Sequence, residues 1–149
     1  MNAPQGRMVD SASSSATVKE SKGTLENFTE LAGRLLLAAI FLLSGLGKLG
    51  AYSATAAYMS SAGVPGALLP AVVATEVLGA LAIILGFRTR AAAVLLAGFS
   101  LLTAIVFHRN FADQMQMNHF LKDVSIAGGF LLLVANGAGP LSIDGHFAK

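Results

Sequence analysis

Residues 67–87 read ALLPAVVATEVLGALAIILGF, with Glu76 the one ionisable residue in the run. At 1.5 Å of rise per residue, a helix of this length covers the roughly 30 Å hydrocarbon core of a bilayer. A barrel strand would alternate apolar and polar residues over about 10 positions. This run is instead continuous and rich in Ala, Leu and Gly. Gly63-Val64-Pro65-Gly66 punctuates its start. Pro70 falls in the first turn, where a missing N–H has no intrahelical partner to lose. The stretch is therefore expected to be a transmembrane helix.

Three further apolar stretches flank it: residues 31–49, broken by Arg34 and Lys48; residues 91–107, without charge; and residues 119–135, with Lys122 and Asp123 in the first turns. The expected fold is all-α, an integral membrane four-helix transmembrane bundle over residues 28–149. The fourth helix is the shortest in strictly apolar length, so a re-entrant segment stays open as an alternative there. Composition agrees: the 149 residues are 54% hydrophobic and 12% charged, against about 25% charged in soluble domains. So few charges cannot coat this much apolar surface, and lipid removes the need. Residues 1–27 are small and polar and are expected to form a disordered tail. They lack the order of a signal peptide. A formal charge of +2, carried by scattered basic residues, argues against nucleic acid. With no cysteine, the chain has no thiol chemistry, disulfide or thiolate metal site of its own.

Orientation follows from Lys and Arg in the short flanks. Arg7, Lys19, Lys22, Arg34, Arg88, Arg90 and Lys149 fall on one side; Lys48, Arg109 and Lys122 fall on the other. Both termini and the Arg88–Arg90 turn are expected to be cytoplasmic, in a bacterial-type inner membrane.

Charge inside a spanning helix costs at least about 2.5–3.5 kcal/mol, so each such residue needs a reason. Glu76 falls near mid-depth and must be neutral, paired or beside a wet cavity. Arg34 is the expected partner. It shares a helix face with Ala38, Phe41, Gly45 and Lys48, and that face should point inward. Glu76 is then either a buried tie or a ligand- or proton-binding carboxylate. A second polar group, Lys48, His108, Arg109, His119, Lys122 and Asp123, gathers toward the opposite end from Arg34. His119 and Asp123 are four apart and share a face. Such a pocket suits a quinone carbonyl, a small anion or a proton exit; interfacial snorkelling is the plain alternative. Asp113, Asp123 and two His match no named metal spacing, so no metal site is expected. Small residues at Ser44, Gly45 and Gly47, at Ala71, Thr75 and Gly79, and at Ser125 and Gly129 are read as packing positions. The run Phe107–Phe120 is expected to be an amphipathic surface connector.

Arg34-Leu35-Leu36, Phe41-Leu42-Leu43-Ser44-Gly45 and Lys48-Leu49 together resemble the first helix of the DoxX family of small membrane proteins. Glu76-Val77-Leu78-Gly79, Leu85 to Arg90, His119 to Asp123 and Gly139-Pro140-Leu141-Ser142-Ile143-Asp144 follow in the order of that family. The resemblance implies a four-helix bundle. It implies a membrane subunit of a redox system, binding a quinone or docking a soluble or membrane oxidoreductase, rather than a stand-alone enzyme. Asp123 stands where close relatives often carry asparagine, which weakens transfer of a neutral role. No intrinsic cofactor is expected, and a quinone is compatible. A small proton-coupled transporter using Glu76, a structural assembly protein, and a homo-oligomer remain open alternatives.

Overall fold

The computed structural model describes residues 6–147, with side chains described from residue 23 onward. Among the described residues, six α-helices follow one another: α1 Gly6–Gly50, α2 Tyr52–Ser61, α3 Leu69–Leu85, α4 Thr89–Phe107, α5 Gln114–Asn136 and α6 Ile143–Phe147. A 3-10 turn, Gly66–Leu68, leads into α3. Four stretches of the described residues are long and apolar enough to cross a membrane: Gly23–Gly50, Gly66–Leu85, Thr89–Phe107 and Gln114–Asn136. Residues 1–22, most of the expected disordered tail, lie outside the described side chains; residues 23–27 continue α1.

The helices run up and down as neighbours. α1 packs chiefly on α3 and α4 on α5, and the α3–α4 contact joins the two pairs. Ala38, Phe41, Ala80, Ile83, Leu96, Ala97, Ala127 and Phe130 form the main core. Phe41 stands edge-on to Phe130 at 5.4 Å and to Phe99 at 6.4 Å. Leu36, Leu43, Leu78, Ile105 and Leu132 point outward, while Arg34, Glu76, Ser100 and Asp123 are buried. Large aliphatics outside and charge inside invert the soluble pattern, as a lipid-facing bundle requires.

The expected inward face of α1 is observed: Arg34, Ala38, Phe41 and Gly45 are buried and Lys48 half-buried. Close approach rests on three of the glycines read as packing positions, Gly45, Gly79 and Gly129, where a Cβ on Gly129 would lie 3.0 Å from Leu37 Cδ2. A Cβ on Gly45 would come within 2.8 Å of Val77 Cγ2, and one on Gly79 within 2.8 Å of Leu96 Cδ2. Gly47 faces open space, and Ser125 is exposed and donates to its own Leu121 carbonyl. These two play no part in helix contact.

Several boundaries differ from the sequence expectation: α1 starts at Gly6 rather than residue 31, α4 starts at Thr89 rather than residue 91, and α3 and α5 differ as follows. α3 begins two residues later than residue 67, because Gly66–Leu68 forms the 3-10 turn. It ends at Leu85, with Gly86 in the left-handed conformation at φ 66° accepting the stop. α5 begins at Gln114 rather than residue 119, so the supposed surface connector supplies its first turns. The Asp113 carboxylate accepts from the Met115 amide at 2.8 Å and caps this start. With 23 residues, α5 is one continuous helix and not a re-entrant loop. The helix α2 had no counterpart in the apolar pattern. Its 10 residues are too few to span, and Met59 anchors it on Leu69 and Val73.

Candidate functional site

Lys48, near the C-terminus of α1, turns inward to α3. Its Nζ lies 2.8 Å and 2.9 Å from the two carboxylate oxygens of Glu76, and 2.6 Å from Ser44 Oγ. Three acceptors engage the three ammonium hydrogens, so the charge is fully used. The Glu76 side chain is 5% exposed, and its burial is compensated by this pair and by Ser44 at 3.3 Å. The expected Arg34–Glu76 tie is therefore incorrect. α3 runs antiparallel to α1 and reaches Glu76 about two turns after its start, at the Lys48 end.

Arg34 is 1% exposed and serves the opposite end. Its Nη2 donates to the Leu141 carbonyl in the segment after α5. That segment folds back over the turn between α3 and α4. The Asp144 amide donates to the Gly86 carbonyl at 2.8 Å. The Asp144 carboxylate accepts from the Arg88 and Thr89 amides at 2.8 Å and 2.7 Å, and so caps α4 from a distant part of the chain. Burial pushes the Asp144 carboxyl up, but the Thr89 and Arg88 amides and the Arg34 charge outweigh it and hold it below its ordinary value.

The second polar group comes together where α4 ends and α5 begins. His108 Nε2 is 3.8 Å from Asp123 Oδ2, and the His108 and His119 rings lie 5.0 Å apart. His108 Nδ1 pairs with Gln116 Oε1 at 3.0 Å. Lys122 Nζ is 3.9 Å from Asp123 Oδ1 and 3.4 Å from His119 Nδ1. Lys48, also expected in this group, is held by Glu76 and Ser44 instead, and Arg109 is exposed and stands outside it. Gln116 was not anticipated. The signal for it was Asp113 followed three residues later by Gln116, a helix start that places Gln116 one turn inside α5.

Both polar groups border one cavity of about 390 Å³. Lys48, Ser44 and Glu76 stand on one wall; His108, Lys122 and Asp123 stand on another. Between them the lining is apolar, with Phe41, Phe99, Leu102, Phe107 and Ile126. α2 covers one side through Thr55, Tyr58 and Met59, and Tyr58 stacks on Phe107 at 5.6 Å. Ile40, Tyr58, Leu68 and Leu102 line the cavity and are also exposed, so it reaches the outer surface of the bundle. Among the described residues, no group of three or more His, Asp or Glu is arranged to hold a metal ion.

Four spanning helices around an interior with buried charge define an integral membrane bundle. The DoxX family model matches residues 29–109, and the chain belongs to that family. It is 47% identical over 120 residues to inner membrane protein YqjF of Escherichia coli K12, covering 80% of this chain and 92% of that protein. It is 40% identical over 121 residues to inner membrane protein YphA of the same organism, covering 76% and 86%. No solved structure matches the chain.

Proposed function

We propose that this protein is a binding subunit of a bacterial inner membrane that holds a lipid-soluble, quinone-type head for a partner oxidoreductase. The cavity carries this reading. Its size falls within the range of small-molecule sites, about 300–1,000 Å³. Its walls are mainly apolar, with a few polar groups at His108, Lys122 and Asp123 to orient a head group. The redox chemistry would belong to the quinone and to the partner's cofactor; the chain's residues bind and orient. The names of the two relatives support the inner membrane. The excess of Lys and Arg at the Arg34 end supports cytoplasmic termini. Full engagement of Lys48 by Glu76 and Ser44 favours a structural tie over a coupling carboxylate.

The test is calorimetric titration of the full-length protein, in mild detergent, with a decyl-substituted benzoquinone. Saturable binding is expected, and it should be lost in Ile126→Trp, which fills the cavity from α5. Native protein that binds no quinone and carries no redox partner through purification would overturn the reading.

A further inference from the structure

Asp123 lines the cavity and is 8% exposed, yet neither of its carboxylate oxygens accepts a hydrogen bond among the described residues. The other carboxylate of the cavity, Glu76, is fully engaged by Lys48 and Ser44. The groups facing Asp123 stop short of it. His108 Nε2 is at 3.8 Å and Lys122 Nζ at 3.9 Å, both beyond the 2.7–3.2 Å of a hydrogen bond. His108 is held instead by Gln116 at 3.0 Å, while Lys122 lies 3.4 Å from His119, itself beyond that range. A buried carboxylate without donors is costly, so this one is built to receive a donor from outside the chain.

The gap itself indicates which donor. An oxygen about 2.8 Å from both His108 Nε2 and Asp123 Oδ2 would bridge their 3.8 Å separation once a small side-chain movement opens the buried Oδ2 to the cavity. A hydroxyl placed there donates to Asp123 and accepts from Nε2 of an imidazolium His108, because Nδ1 already donates to Gln116 Oε1. A carbonyl oxygen cannot do this, because it and an ionised carboxylate are both acceptors. We infer that Asp123 and His108 together hold the hydroxyl of a lipid-soluble phenol or quinol, so that the cavity favours the reduced, O–H-bearing form of its ligand. The inference rests on the cavity being the ligand site proposed above. Preferential binding of the reduced form makes a bound quinone a stronger oxidant than the same quinone free in lipid.

A redox-inert pair of probes tests it: 4-decylphenol and its methyl ether, titrated into full-length protein in detergent. The phenol should bind at least about tenfold more tightly, the worth of one hydrogen bond to a charged acceptor. Asp123→Leu, which keeps the volume and removes the acceptor, should abolish that preference while the ether binds as before. If this variant does not accumulate, His108→Leu should reduce the same preference. Equal binding of both probes to the native protein overturns the hydroxyl assignment and leaves the cavity as a ligand site. A preference that persists in Asp123→Leu overturns the assignment to Asp123. Failure of both probes and of the quinone to bind removes the ligand site and this inference with it.

Discussion

Lys48 and Glu76 show what a buried charge does when a nearer partner is available. The sequence placed both Arg34 and Lys48 on the inward face of α1, and the structure agrees. Choosing between them required knowing where α3 begins. With the helix starting at Leu69, Glu76 lies about 10 Å in from the Lys48 end, and the Lys48 chain covers that distance. Arg34 was claimed by Leu141, 107 residues away, which no helical periodicity could reveal. Removing one partner of the pair strands a buried charge. Lys48→Met should therefore destabilise the bundle by about 3–5 kcal/mol. Lys48→Met with Glu76→Leu should recover most of the loss, as read by thermal unfolding in detergent. Asp144 is a milder case at the other end. Asp144→Asn removes a charged cap from α4 and should cost about 1 kcal/mol at neutral pH. The carboxyl titrates lower in the folded protein than in the unfolded chain. Its contribution is thus present above the ordinary aspartate value of about 3.9 and is lost as pH falls through the folded value. The stability gap between native protein and Asp144→Asn should narrow over that acid range; a gap constant down to strongly acid pH would refute the role given to this carboxylate.

At the scale of elements, the apolar runs marked the cores of all four spanning helices, because lipid-facing and buried positions are both apolar. Their ends were less legible. α5 starts among Gln114, Met115 and Gln116, where apolar and polar residues alternate without a continuous apolar run, and Asp113 marks the boundary. α2 is short and neutral, and it exists because Met59 finds Leu69 and Val73 beneath it. Small residues were legible as a class but not one by one. Gly45 meets Val77, whose branched side chain has little freedom, and also approaches the Glu76 Cβ at 3.2 Å. Gly79 meets the flexible end of Leu96, and Gly47 meets nothing within 4 Å. Three alanine substitutions should therefore rank in order. Gly45→Ala should lower the thermal midpoint most, and Gly79→Ala less. Gly47→Ala should leave it unchanged or raise it slightly, since alanine favours a helix over glycine by about 1 kcal/mol. An inverted order between Gly45 and Gly47 would mean that α1 and α3 are not in the contact described.

For the whole molecule, the two ends differ in how their basic residues are used. Toward the loop between α4 and α5, Lys48 is neutralised by Glu76, and Lys122 stands beside Asp123. At the opposite end Arg88 and Arg90 are exposed. Asp144 occupies the amides of this turn, not the Arg88 and Arg90 side chains, apart from a long 3.4 Å contact of Arg90 with the Ala135 carbonyl. Orientation follows the count of Lys and Arg near the helix ends rather than net charge, and at this end the exposed pair sits on the α3–α4 turn. A phosphatase reporter fused after Lys149, active only outside the cytoplasm, should be silent in the native background. Arg88→Ala with Arg90→Ala should give it measurable activity, by letting a fraction of molecules insert the other way. Arg109→Ala, which lowers positive charge on the other side, should leave it silent. Activity in the native fusion would reverse the orientation, and with it the side from which a partner enzyme would meet the His108 and Asp123 end of the cavity.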